Sequence, residues 1–228
     1  NLNLKDYFLI INCAAEVYNE KKMFQNNTEL VEQLLRKIVN SKCKARLIHF
    51  GSSGEYGSVN KISAETDVST PRSVYDSTKA SATMLVQGYS KQFKIKSIVI
   101  RPFAVFGKWE NHTRLIPNIF RHLLYGKKLD IYDGYHDFIY IKDLINFINL
   151  LIKKNKINKY GEIVNFGSGN QFSNIEVLNL CEKIIKIKAR FRFIKKFQRM
   201  YDKKIWCANN RYLISKKKFK KKFTIKKA

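Results

Sequence analysis

The sequence predicts an α/β protein built on a parallel sheet, and three features carry that expectation. Short, continuously apolar runs recur at "DYFLIINCAAE", "ARLIHF" and "KSIVIRPFAVFG". Each ends in small, glycine-containing or polar stretches, as strands buried on both faces of a parallel sheet do. Between the runs lie longer segments with apolar residues at helical spacing, so strand and helix alternate.

The elements follow in order. "DYFLIINCAAE" gives the first strand, and its small residues mark the exit. A helix is expected over about residues 22 to 42, with Phe24, Leu30, Leu34, Leu35 and Ile38 on one side. "ARLIHF" is the second strand and stops at "GSSGEYG". The next helix starts near Ser73 and holds Tyr75, Ala82, Leu85, Val86 and Tyr89, and "KSIVIRPFAVFG" is the third strand. After Gly107 the alternation loosens. "RLIPNIFRHLLYGKKL" reads as a helix stopped by Gly126. "DFIYIKDLINFINLLIKK" begins as a strand and turns helical near Asp143. "GEIVNFGSGN" is a short strand running into a glycine turn. "SNIEVLNLCEKIIK" is a helix opened by a capping box of Ser173 with Glu176. No internal repeat and no flexible Gly/Ser linker interrupts the chain, so one compact unit is expected.

Composition narrows the partners. Apolar residues make up 45% of the 228, enough for a substantial core. The formal net charge is +26, from 44 Lys+Arg against 18 Asp+Glu, which suits nucleic acid, an anionic membrane or a polyanionic ligand. Most of these residues are lysines spread along segments read as helical, such as "EKIIKIKARFRFIKKF". The one dense run, "KKKFKKKF" from Lys216 to Phe223, reads as a solvated tail, with a membrane-surface patch second. A non-catalytic basic fragment binding nucleic acid or an anionic membrane through Lys216–Lys222 is therefore the competing class. Base readout would want aromatic stacking platforms, and the aromatics here follow core spacing instead. Cys13, Cys43, Cys181 and Cys207 are scattered without a C-x-x-C pair, which argues against a zinc site or a disulfide framework and for a reducing, cytoplasmic setting. No apolar run reaches the length of a membrane span, and no signal-peptide pattern is visible.

Ligands of open parallel sheets bind beyond the carboxyl ends of the strands. Here those ends are "NCAAE", "GSSGEYG" and "RPFAVFG". The helix beginning "SVYDSTK" follows the second, so Ser52, Ser53, Tyr75 and Lys79 share one predicted crevice. A Tyr and a Lys four apart on a helix are most often core packing with wet tips. In this crevice they suit proton transfer. A phenol with a reference pKa of ~10 is a poor base, and an adjacent ammonium favours its phenolate. A serine hydroxyl can hydrogen-bond the substrate oxygen. Hydride movement at the neighbouring carbon needs a nicotinamide, because side chains cannot accept one.

Seven motifs in order resemble one family. "NCAAE" stands for His-Leu-Ala-Ala, and "NNTELVEQLL" for Asn-Val-x-Gly-Thr-x-x-Leu-Leu. "SSGEYG" stands for Ser-Ser-x-x-x-Tyr-Gly, "YDSTK" for Tyr-x-x-x-Lys, and "RPFAVFG" for Arg-Pro-Phe-Asn-Val-Tyr-Gly. "DGYHDFIYIKD" stands for Asp-Gly-x-x-Arg-Asp-Phe-x-Tyr-Val-x-Asp, and "GEIVNFGSG" for the late Asn-x-Gly-Ser-Gly turn. Over nearly its whole length the chain is similar to the extended short-chain dehydrogenases/reductases of the NAD-dependent nucleotide-sugar epimerase/dehydratase type. The resemblance implies an N-terminally incomplete Rossmann-type parallel sheet with a smaller C-terminal α/β substrate region. Residues 1–107 would be a partial dinucleotide-binding core to which 136–167 return, and 108–135 with 168–228 a substrate region and basic tail. It implies Ser52, Tyr75 and Lys79 as catalytic residues, with Ser53 as the fallback for Ser52. Ala14, Ala15, Asn27, Pro102 and Phe103, with Tyr75 and Lys79, would hold NAD, NADP being left open. Ser53, Ala104, Arg114, His136, Arg199 and Asp202 would face a nucleotide sugar. No metal, no specific nucleic acid and no membrane span are implied, and a homodimer would form through the Tyr75 helix.

The departures are informative too. The family's Gly-x-x-Gly-x-x-Gly, which meets the pyrophosphate at a helix N-terminus, does not occur in these residues. The chain begins near the family's fourth strand, as a gene cut short or a protein completed by another chain would. By itself it is expected to bind NAD(H) weakly and to show no catalysis. Ala104 replaces the motif Asn, and His136 replaces the Arg that helps hold the diphosphate, a less dependable phosphate partner. Dehydratases of this family carry Asp-Glu after the catalytic Ser/Thr, where Ser53 and Gly54 stand here. C4 epimerisation or 4-keto reduction, in surface-polysaccharide deoxysugar synthesis, is therefore expected over 4,6-dehydration.

Overall fold

The computed structural model describes residues 3–57, 60–197 and 205–228. Its centre is a four-stranded, all-parallel sheet of β1 (Leu9–Asn12), β2 (Arg46–Phe50), β3 (Ser97–Pro102) and β8 (Glu162–Phe166), in that order. Alternation along each strand feeds two cores. Ile48, Ile98, Ile100 and Val164 face α5 (Ile141–Lys153) and meet its Phe147 and Leu151. Leu47 and Val99 face the other way, onto Val31, Leu35 and Ile38 of α2 (Leu30–Asn40) and Ala82 and Val86 of α3 (Val74–Phe93). Burial on both faces is why the strands read as unbroken apolar runs.

The connection from β1 to β2 differs from expectation. It opens with α1 (Glu20–Phe24), passes through a π-helical turn at Gln25–Glu29, and only then becomes α2. The wider turn holds one residue more than an α turn and rotates everything before it relative to α2. Phe24, expected on the packing side, is consequently 57% exposed; Leu30, also expected there, is 44% exposed because it begins α2 off the face that carries Leu35 and Ile38. The buried stripe is Met23, Asn27, Thr28, Val31, Leu35 and Ile38.

The Ser73 hydroxyl caps α3 by accepting the Asp76 N–H at 3.0 Å. Past β3 the chain leaves the main sheet. β4 (Ala104–Phe106) pairs in parallel with β7 (Phe138–Tyr140). α4 (Leu115–Tyr125) ends at Gly126, whose left-handed φ of +66° stops it as expected. β5 (Asp130–Asp133) lies beside β10 (Arg192–Phe197), and β6 (Tyr135–His136) beside β9 (Phe172–Ser173). α6 (Asn174–Ile185) begins with the predicted Ser173–Glu176 capping box. A third core joins these parts through Phe106, Ile119, Leu123, Ile131, Phe138, Val177 and Leu178.

Two expectations about the basic segments are corrected. "EKIIKIKARFRFIKKF" is not helical throughout. α6 stops at Lys186, and Arg192–Phe197 is a strand whose Arg192 guanidinium grips Asp130 with two hydrogen bonds of 3.0 and 2.9 Å. The Lys216–Phe223 run is not a solvated tail. α7 (Arg211–Ser215) sends Leu213 into the main core, and Phe219 follows it against Phe147 and Phe166. Lys217, 4% exposed, pairs with Glu162 of β8, and the Lys222 and Phe223 N–H groups donate to the Asp143 carboxylate at 2.9 and 3.2 Å. Two phenylalanines and a buried acid partner outweigh the lysines' preference for water. Among the described residues no helix is long and apolar enough to cross a membrane, and no acid, His or Cys cluster suits a metal ion.

Candidate functional site

The site grows from the end of β2. After Phe50 the chain passes Gly51 and enters a tight 3₁₀ turn, Ser53–Tyr56, with Ser52 at its cap. The Ser52 hydroxyl accepts the Gly54 N–H at 3.0 Å, and the Ser52 N–H donates to Glu55 Oε1 at 2.7 Å. This turn lies against the first turn of α3. A Cβ on Gly54 would fall 1.8 Å from Asp76 Oδ1, so any larger residue would have to displace the Asp76 carboxylate. Lys79, one turn further along α3, donates from Nζ to the Phe50 carbonyl at 2.5 Å and is almost fully buried. That bond ties the predicted catalytic lysine to the strand end that carries Ser52. Burial pulls the Lys79 ammonium down from 10.5 to about 8, with Glu55 and Cys13 opposing the fall. With so little water around it, the charged form is less favoured than on a surface lysine.

The other predicted residues separate into groups. Ala14 and Ala15 are exposed just past the C-terminal end of β1, where small side chains leave room beside the sheet. Asn27 has no exposed surface. Its amide accepts the Glu16 N–H (2.7 Å) and donates to the Glu16 carbonyl (2.9 Å) and the Thr78 hydroxyl (3.1 Å). These bonds make it a clamp joining the loop after β1 to α3, with both amide protons and one Oδ1 lone pair already given to protein partners. Pro102 is half-buried, and Phe103 packs with Tyr56, Trp206 and Ala208. On the substrate side, Ala104 is buried in β4, Arg114 caps α4 and meets Glu110 at 3.5 Å, and His136 is half-buried in β6 with its ring edge-on to Phe138. Arg199 and Asp202 lie outside the described residues.

Several buried polar residues that the sequence reading passed over hold this site together. Glu55 forms a fully buried ion pair with Arg101 at 2.7 Å. The Arg101 guanidinium also lies 4.5 Å from the Tyr56 ring centroid, and the Tyr56 hydroxyl donates to Asn165 of β8 at 2.7 Å. Asp137 accepts the N–H groups of Ser168, Gly169 and Ala208 and the Ser168 hydroxyl, and so shapes the late Gly-Ser-Gly turn. His49 sits under Lys79 in β2 with no exposure. Its Nδ1 is 3.2 Å from the Asn12 amide, and Nε2 has no hydrogen-bond partner. Burial, with Lys79 second, holds His49 neutral and pushes its pKa down to about 3. Glu55 and Arg101 stood inside quoted motifs, and their opposite charges flanking two apolar strands were the available signal.

Comparison with known proteins agrees with the geometry. The sequence model described as "NAD dependent epimerase/dehydratase family" matches residues 7–167. A dTDP-D-glucose 4,6-dehydratase of Dictyostelium discoideum is 29% identical over 181 residues, covering 73% of this chain and 40% of the relative. The low-salt glycan biosynthesis protein Agl12 of Haloferax volcanii is 27% identical over 191 residues, 79% of this chain and 59% of the relative. The chain thus spans about half the length of these relatives. The UDP-glucuronic acid 4-epimerase of Bacillus cereus, solved in complex with NAD, superimposes with a TM-score of 0.85 at 26% identity, over 98% of this chain and 72% of that one.

Proposed function

This chain belongs to the NAD-dependent epimerase/dehydratase family, and on that premise we propose that it acts on a nucleotide sugar as a C4 epimerase or 4-keto reductase, in the synthesis of a surface polysaccharide. The observation that carries the choice of reaction is the packing of Gly54. Water loss in the family's dehydratases uses an acid and a base side chain directly after the catalytic Ser/Thr. Here Ser53 has no carboxyl group, and Asp76 fills the space a side chain at 54 would need. Asp76 itself is buried, with Oδ2 taking the Ser73 hydroxyl at 2.6 Å.

Tyr75 serves as the acid or base at the sugar's O4 hydroxyl, and Ser52 donates or accepts a hydrogen bond at the same oxygen. Lys79 lowers the phenol's pKa. Tyr75, Lys79, Pro102 and Phe103, with Ala14 and Ala15 past β1, would hold the nicotinamide half of NAD or NADP; in support, Lys79 is bonded to the end of β2 and Pro102 ends β3. When bound, the cofactor would take hydride from C4 and return it in epimerisation, or in its reduced form donate hydride to the C4 carbonyl in keto reduction. His136 and Arg114 are the side chains offered to the diphosphate.

The test is turnover of UDP- and dTDP-linked hexoses and their 4-keto derivatives, followed by NMR of the products. The chain is assayed alone and with a Gly-rich β-α-β segment supplied in trans. Epimerised or reduced sugar is expected, and Tyr75→Phe should lower turnover by at least ~10²-fold with the fold intact. Clear formation of a 4-keto-6-deoxy sugar from a nucleotide hexose would overturn the reaction class. Near-normal turnover by Tyr75→Phe would overturn the site.

A further inference from the structure

Glu55 has no exposed surface, and four donors converge on it. Oε1 accepts the Ser52 N–H at 2.7 Å and the Thr83 hydroxyl at 3.0 Å, while Oε2 accepts Arg101 Nε at 2.8 Å and Nη2 at 2.7 Å. Donors alone are the contact set of an ionised carboxylate. Such a pair is rarely kept for stability, since apolar residues of similar volume often serve as well. Its neighbours are shaped around it. A Cβ on Gly51 would lie 2.4 Å from Oε1. Arg101 is braced in turn by the Ser69 hydroxyl at 3.1 Å and by the Tyr56 ring. Thr83 stands one helical turn beyond Lys79 on α3, so Oε1 lies on the Lys79 side of that helix. Burial raises the Glu55 carboxyl and Arg101 opposes the rise.

We propose that Glu55 is a positioning residue for the Ser52–Tyr75–Lys79 set: braced by Arg101, its carboxylate fixes the Ser52 main chain and gives Lys79 a buried anionic neighbour. The assignment rests on the reading of those three residues given above. It predicts that Ser52 keeps one orientation before substrate arrives, because its N–H and its hydroxyl are both held within the same turn. It also predicts that the charge of Glu55 keeps Lys79 protonated against its burial.

Both effects are measurable on the 228-residue chain without cofactor or substrate. NMR of 15N,13C-labelled lysine follows the Lys79 titration, with Lys79→Met identifying its signal. Amide hydrogen exchange follows the Ser52 N–H. Glu55→Gln removes the charge and leaves an acceptor, so the Lys79 midpoint should fall below its parent value of about 8. Glu55→Leu with Arg101→Met removes charge and acceptor without stranding the arginine. It should lower the same midpoint and speed Ser52 exchange at least ~10-fold, the loss of one hydrogen bond. Thr83→Val, a packing control, should leave the Lys79 midpoint in place. An unchanged midpoint in a folded charge-removing variant, or unchanged Ser52 exchange in the double variant, overturns the proposal. Turnover by Tyr75→Phe would instead overturn the functional reading and leave the Glu55 arrangement standing.

Discussion

At the scale of single residues, the site is a set of polar groups forced into a dry interior. Lys79, His49, Glu55 and Arg101 are all buried within one stretch of the β2–α3–β3 layer. His49 makes this testable. Its pKa falls from 6.5 to about 3 on folding, so the unfolded chain binds the extra proton throughout that window. Stability is then fully present above pH ~6.5 and is lost as pH falls toward 3, by up to ~5 kcal/mol. His49→Leu should flatten the stability curve over that range, measured by urea unfolding at several pH values. A wild-type curve already flat from pH 6.5 to 4 would refute the assignment. Tyr75, Lys79 and Ser52 could be singled out from the sequence because their spacing follows a helix turn and a strand end. It hid Asn27's clamp, Glu55 and His49, because the partners of a buried polar group lie far away in the chain. Asn27 meets Thr78 across 51 positions, and Glu55 meets Arg101 across 46.

At the scale of elements, hydrophobic spacing located every strand of the main sheet to within a few residues. It failed where local winding or distant pairing took over. A periodicity argument assumes one helical pitch, and the π turn at Gln25–Glu29 breaks that assumption just after Phe24, which was placed inward. The contrast gives a direct test. Val31→Ala, in the buried stripe, should cost about 1–3 kcal/mol, whereas Phe24→Ala should change stability by less than ~0.5 kcal/mol despite removing more surface. Equal losses in chemical denaturation would place the stripe wrongly. The β10 strand was misread for a related reason. Lysines every few residues fit a helix surface and a strand edge equally well, and only the Asp130 partner of Arg192 separates the two.

At the scale of the whole molecule, the proposed function would give this chain the nicotinamide side of a dinucleotide site. Its 228 residues include no Gly-rich strand-to-helix turn for the pyrophosphate. Charge-assisted hydrogen bonds at such a turn contribute roughly 1.5–3 kcal/mol each, so two of them amount to at least ~100-fold in affinity. Isothermal titration of the chain alone should accordingly find NAD(H) binding weaker than micromolar, and a micromolar constant would show the cofactor misplaced. The C-terminal strap has a different consequence, in the order of synthesis. Lys217, Phe219 and the Asp143-bound amides seal β8 and α5, yet Lys217 emerges 55 residues after its partner Glu162. At about 5–20 residues per second, a ribosome leaves that face of the sheet open for roughly 3 to 11 s. During that interval the stacked pair of Phe147 and Phe166 lacks the Phe219 ring that covers it, and the nascent chain is in the form a chaperone would bind.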